Sequence, residues 1–210
     1  RESVKVCMLV WSYWPLSTGG AESQCRKLSQ ELVRSGVKVD ILTVRQSFRT
    51  SAKEEDHGVT VRRFWTPLSL FQAFGQLWSF PQKKASPANP DQPLGPSSSA
   101  GLLERLAGLN TLWYMIRSAL YIGLKRKRTD LLHVHTGDWI SGYAGWIGRR
   151  LGISVLSKGA NIPPLPVIGA EIPFSEKWDR ERRENRFVVL QPAMGEELRE
   201  EGVDGLRICE

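Results

Sequence analysis

VKVCMLVWSYWPLSTGGAESQCRKLSQELVRSGVKVDILTV, residues 4–44, contains the unit on which the reading of the whole chain turns. Val4 to Val10 is a short, nearly unbroken apolar run rich in β-branched residues, the pattern of a strand covered on both faces of a parallel sheet. Trp11 to Thr18 follows as a loop around Pro15. From Gly20 to Ser35, apolar Ala21, Cys25, Leu28, Leu32 and Val33 return at helical spacing, and Gly36 supplies the stop. Val37 to Val44 reads as a second strand. Strand, helix and strand within about forty residues make the opening βαβ unit of a doubly wound fold.

The rhythm continues outward. Val59 to Phe64 is a further strand, and Leu102, Leu106, Leu109, Trp113, Ile116, Leu120 and Leu124 recur every three or four residues, predicting a helix that reads first as core-facing, with an interfacial element as the other reading. Lys125-Arg126-Lys127-Arg128 closes that helix, where cations complement the carboxyl end of its dipole. Asp130 to His135 predicts a strand, Trp139 to Leu151 a helix of small and apolar residues packed tightly on the sheet, and Ile153 to Ser157 the next strand. Phe187 to Leu190 and a helix from Glu196 to Glu201 add one more unit, and Arg207-Ile208-Cys209 begins another strand. The sum is one α/β domain over residues 1–210: a Rossmann-like, doubly wound, mostly parallel sheet of six or seven strands with helices on both faces. Pro67 to Ser99 interrupts it. Leu68 to Phe80 is uncharged and aromatic, a candidate surface helix, and the Pro- and Ser-rich stretch near 81–100 is predicted to be a mobile insertion.

Composition narrows the function classes. With 210 residues, 41% of them hydrophobic and 24% charged, the chain is neither a disordered tail nor a disulfide-stapled miniprotein. A net charge of +7 favours anionic partners: phosphorylated metabolites, acidic lipid or nucleic acid. Nucleic acid is the weakest of these, because acidic residues interleave the cations of Arg180 to Arg186 and no recognised nucleic-acid module is present. Cys7, Cys25 and Cys209 form no C-x-x-C pair and are odd in number, which favours a reducing, cytoplasmic compartment. No run approaches the ~18 apolar residues of a membrane span. The chain starts without Met and stops at the onset of a strand, so a piece of a longer protein is expected.

Three clusters could carry chemistry. Ser17-Thr18-Gly19-Gly20-Ala21-Glu22 joins the first strand to the first helix, where unpaired N–H groups and partial positive charge attract anions. It matches neither G-x-G-x-x-G nor the P-loop pattern, so a ligand-free tight turn is the competing reading. Glu22 also has the plain role of a favourable charge at a helix start. His133 and His135 alternate along one strand and share a face, with His135 at the carboxyl end, where ligands of open α/β sheets bind. A His-x-His pair also suits zinc, but the third ligand would have to be His57 or a carboxylate such as Asp138. Lys158, just after the next strand, reads either as a phosphate contact or as a solvated cation.

Residues 4–43, DLLHVHTGDWISGYAGWIGRRLGISVLSKG (residues 130–159) and FVVLQPAMGEELREEGV (residues 187–203) together resemble the amino-terminal, acceptor-side half of a GT-B glycosyltransferase of the retaining family 4 type. The resemblance covers nearly the whole chain except the Pro-rich stretch. It implies transfer of a sugar from a nucleotide-diphosphate sugar to an acceptor hydroxyl, in polysaccharide or glycolipid synthesis, with no cofactor and no metal. By resemblance, Gly19 and Gly20 line the donor diphosphate and His135 is the catalytic histidine. Thr18, Glu22, Thr136, Asp138 and Lys158 are candidate substrate contacts on the same rim. The family's second, donor-binding domain has no counterpart in these residues, so the domain alone is expected to be inactive. The alternative is a non-catalytic module that binds acceptor or docks on an anionic membrane beside a separate donor-binding chain. Its support is Trp78, Trp113 and Tyr114 near the basic run.

Overall fold

The computed structural model describes residues 3–17, 19–67, 69–70, 98–135, 139–159, 172, 174–189 and 191–209. In chain order these form β1 (Lys5–Leu9), α1 (Gly20–Arg34), β2 (Lys38–Val44), β3 (Lys53–Asp56), β4 (Val59–Phe64) and α2 (Ser98–Lys125). β5 (Leu131–Val134), α3 (Trp139–Leu151), β6 (Ser154–Gly159), α4 (Ser175–Arg182), β7 (Arg186–Val189), α5 (Pro192–Glu200) and β8 (Ile208–Cys209) follow. The strands make one sheet in the order β3-β4-β2-β1-β5-β6-β7-β8, with only β3 antiparallel to its neighbour. The Rossmann-like α/β class is as predicted. The described strands number eight rather than six or seven.

The extra strand is β3, Lys-Glu-Glu-Asp, which carries no apolar residue and so escapes any hydrophobic pattern. It is a charged edge strand, a composition that discourages pairing with another chain. His57 (φ 52°) and Gly58 (φ 83°) turn it back into β4, the two positive φ angles of a tight hairpin. A second difference is the start of α2. Ser98, Ser99 and Ala100, assigned from sequence to the mobile insertion, lie in the first turn of that helix. Residues 81–97 and most of the candidate helix 68–80 fall outside the described residues.

Strand alternation builds two cores. Val6, Met8, Ile41 and Val61 point to the face covered by α1, whose Cys25 is buried against them. Cys7, Leu9, Leu42, Leu132 and Val134 point to the opposite face, under Met115 and Ile122 of α2 and Ile140, Tyr143, Ala144 and Ile147 of α3. Phe187, Val189, Leu198 and Val203 form a smaller cluster beneath α5. α3 packs tightly, as its small residues predict, but partly on a helix rather than on the sheet. A Cβ at Gly142 would lie 1.9 Å from the backbone oxygen of Trp178 in α4, whereas one at Gly148 would meet Val155 of β6 at 2.3 Å.

α2 inverts the expectation most plainly. Its core side is Asn110, Thr111, Tyr114, Met115, Ser118 and Ile122, while Leu109, Trp113, Ile116, Leu120 and Leu124 face outward. Hydrogen bonds select the polar side: Tyr114 Oη donates to Leu42 O (3.0 Å), Tyr143 Oη donates to Met115 O (2.7 Å), and the Ser118 and Tyr143 hydroxyls meet at 2.9 Å. Tyr121 Oη adds a bond to Asp40 Oδ2 (2.8 Å), so α2 descends antiparallel to β2.

Candidate functional site

The chain leaves β1 for β2 on one side and, after β4, crosses by α2 to β5 on the other. The carboxyl ends of β1 and β5 are therefore the point where the winding reverses, the place where open α/β sheets form a ligand crevice. The loop from β1 to α1 forms one lip of it. That loop is tied down: Arg63, buried in β4, donates from Nη2 to Trp14 O (2.7 Å), and Thr43 Oγ1 donates to Trp11 O (3.0 Å). α1 is held by a two-pronged ion pair, with Arg26 Nε and Nη2 donating to Asp56 Oδ2 (2.7 Å) and Oδ1 (2.9 Å). The Arg26 guanidinium, together with the Tyr13 hydroxyl, holds the Asp56 carboxyl below its ordinary range despite burial.

Gly19 caps α1 in an extended conformation, and its carbonyl accepts from Ser23 N (3.0 Å). The Glu22 carboxylate folds back over it: a Cβ on Gly19 would clash with Glu22 Oε2 at 2.4 Å. Glu22 thus sits at the helix start, where the exposed dipole favours negative charge. Gly20 is different. A Cβ there would meet no protein atom within 4 Å, so no internal contact demands a glycine. The approach to this turn is open on the Gly20 side.

Met8, His133 and Leu156 stand side by side across β1, β5 and β6, which places His133, His135 and Lys158 on the α1 face of the sheet. The two imidazoles meet edge to face with centroids 5.6 Å apart. Burial, then the Lys158 charge, push His133 down to about 4 and His135 to about 3, so both rings are neutral at pH 7. Lys158 Nζ donates to Gln24 Oε1 of α1 (2.6 Å) and lies 3.5 Å from His135 Nε2. An ammonium only donates, so a hydrogen bond between the two has Nε2 of His135 as acceptor and leaves the imidazole proton on Nδ1. Nδ1 of His135 and Nε2 of His133 are buried without a hydrogen-bond partner among the described residues. On the opposite face of the rim, Trp11, Tyr114 and Trp139 pack edge to face, with centroids 5.3 Å to 6.4 Å apart.

Of the residues singled out from sequence, the structure brings Gly19, Gly20, Glu22, His135 and Lys158 to one rim through α1, β5 and β6. Thr18, Thr136 and Asp138 lie outside the described residues. His57 sits on the β3–β4 turn at the opposite rim, so it cannot join the other two histidines on a metal. Among the described residues no group of three or more His, Cys, Asp or Glu is placed to hold a metal ion. Gln24 went unnoticed in the sequence. Its signal was its place one helical turn beyond Gly20, on the same side of α1.

The model of the glycosyl transferase 4-like domain matches residues 19–209. The chain belongs to that family. This glycosyl transferase 4-like domain is 37% identical over 60 residues to an uncharacterized glycosyltransferase of Methanocaldococcus jannaschii, an overlap of 29% of this chain and 15% of that protein. Its fold is similar to that of sucrose-phosphate synthase from Thermosynechococcus elongatus (TM-score 0.52, 12% identity, 96% of this chain and 45% of that one). It is also similar to Anabaena HepE, solved in complex with UDP-glucose (TM-score 0.54, 14% identity, 98% of this chain and 42% of that one). The domain therefore spans less than half the length of each of these relatives. At such identities the structures establish the GT-B type of fold alone.

Proposed function

We propose that this glycosyl transferase 4-like domain is the acceptor-side half of a retaining glycosyltransferase that uses a nucleotide-diphosphate sugar and no metal. The observation that carries the reading is the convergence of an open Gly20 turn, a neutral enclosed His135 with an unpartnered N–H, and Lys158 at one switch point. A buried donor without a partner is costly, and a substrate oxygen that accepts from Nδ1 would remove that cost. Negative charge grows on the departing diphosphate as the glycosidic bond breaks. N–H groups fixed at the start of α1 stabilise it most at that moment, which is how preorganised dipoles accelerate a reaction. Glu22 must swing off Gly19 to admit the anion. HepE, a neighbour in fold, was solved with UDP-glucose, which favours a nucleotide sugar as donor here.

The acceptor in this reading is a carbohydrate or a lipid-linked sugar of polysaccharide or glycolipid synthesis, met on the cytoplasmic side of a membrane. A donor-binding half completes the cleft, and residues 1–210 by themselves turn nothing over. The test joins residues 1–210 to a donor-binding domain and follows transfer from labelled nucleotide sugars. Transfer is expected only from the joined protein, and His135→Ala should lower it at least a hundredfold with the circular dichroism spectrum unchanged. Near-normal turnover in that variant removes His135 from the chemistry. Absence of transfer with every common donor overturns the proposal. The non-catalytic alternative, a membrane-docking or acceptor-binding module, is favoured by one observation, the outward apolar side of α2.

A further inference from the structure

Leu109, Trp113, Ile116, Leu120 and Leu124 lie on one side of α2 and are 44% to 85% exposed, with Leu124 the most open. Fifteen residues of helix separate the first from the last, a stripe about 22 Å long. Scattered exposed leucines are unremarkable, but an aligned row with a tryptophan in it is an apolar surface that no described residue covers. No helix among the described residues is long and apolar enough to cross a membrane.

Charge identifies what covers it. The stripe runs into Lys125, Arg126, Lys127 and Arg128, and none of these four is in an ion pair among the described residues. Exposed Arg117 stands between Ile116 and Leu120 in sequence. At the amino rim, Lys5 and Lys38 join Lys125 and Arg128 around a hollow of about 400 Å³, with Thr60 and Thr129 among its walls and Asp40 its one acid. This hollow is at the end of the sheet opposite His135, so it belongs to a separate site. Apolar residues with Trp on one side of a helix and a cluster of Lys and Arg at its end are the makings of an element that lies in the headgroup layer of an acidic bilayer.

We infer that the outer side of α2, from Leu109 to Arg128, is a docking surface for an anionic lipid bilayer. The stripe enters the acyl boundary, and the 125–128 run with Lys5 and Lys38 receives lipid phosphates. The inference rests on the outward side of α2, which also favours the non-catalytic alternative above, and it does not depend on the catalytic reading. Vesicle binding is measured without any transfer, so either can fail alone.

The test is co-sedimentation of the 210-residue chain with vesicles of phosphatidylcholine, with and without one-third phosphatidylglycerol. Binding should be at least tenfold stronger to the anionic vesicles at low salt and fall several-fold at roughly 0.5 M salt. Leu120→Glu with Leu124→Glu, at positions that touch no core, should reduce it at least tenfold at unchanged Tm. Replacing Lys125, Arg126, Lys127 and Arg128 by Gln should abolish the preference for anionic vesicles. With brominated acyl chains, fluorescence quenching should shrink in Trp113→Phe. The inference is overturned by no binding to either vesicle, by binding that survives Leu120→Glu with Leu124→Glu, or by quenching that ignores Trp113. Sedimentation showing a dimer that the two Glu substitutions dissociate, with no vesicle binding, assigns the stripe to a second copy instead and equally overturns it.

Discussion

Gly20 and Gly19 look identical in sequence and do opposite things. Gly19 makes room for Glu22, whereas Gly20 faces open space, so an alanine at 20 should change the stability of the fold by less than about 0.5 kcal/mol. In the joined enzyme the same Gly20→Ala substitution should raise KM for the nucleotide sugar about tenfold, because a methyl group stands between the anion and the backbone. Denaturant melts and donor titration check the two halves of this expectation, and an unchanged KM would mean the turn is only a turn. The sequence showed where Gly19, Gly20, His135 and Lys158 stand, since strand ends and helix starts are readable from pattern. It did not show that Glu22 lies on Gly19, or that Gln24 holds Lys158. Both depend on side-chain conformations that only three-dimensional proximity selects.

Elements were legible where apolar period and burial agree. β1, α1, β2 and α3 came out nearly at their observed bounds, because their apolar residues are the ones that pack. β3 was invisible, being held by hydrogen bonds to β4 and by Asp56's ion pair with Arg26 rather than by apolar contact. α2 was found as a helix and misread in orientation: its leucines form the longest stripe, yet Tyr114 and Ser118 make the buried hydrogen bonds that decide which side faces the sheet. For α3 the decisive contact is backbone against backbone. Gly142→Ala would drive a methyl into the Trp178 carbonyl and should cost about 2 kcal/mol or more, with α4 shifted away from α3. Urea unfolding checks it, and a loss under about 0.5 kcal/mol would show that the two helices separate freely.

Across the whole molecule, the two buried imidazoles tie stability to acidity. An unfolded histidine takes up its proton near 6.5, while His133 waits until about 4 and His135 until about 3. Their stabilisation is therefore complete above pH 6.5 and is lost as the pH falls from there towards 4 for His133 and towards 3 for His135, because the unfolded chain binds more protons across that window. Each histidine contributes a slope of up to about 1.4 kcal/mol per pH unit. Chemical denaturation at pH 7.5 and at pH 5 should show a clear loss, and equal stability at the two would mean that the rings are not enclosed as described. The loss precedes that of Asp56, whose lowered carboxyl holds its ion pair until the solution is more acidic still.

α2 is also a ruler. Its 28 residues, about 42 Å of helix, run antiparallel to β2, and the stretch from Tyr114 to Lys125 alone leads from near the crevice rim to the opposite rim. A domain resting on a bilayer through the outer side of α2 has its strands lying parallel to the lipid plane, so the crevice opens sideways along the surface and not up into water. An acceptor anchored in that leaflet would then come to the mouth of the crevice by lateral diffusion in two dimensions, and would have to extend past the sheet edge to His135, which is on the α1 face, away from the lipid. Its encounter rate would follow surface density and lipid fluidity rather than bulk concentration.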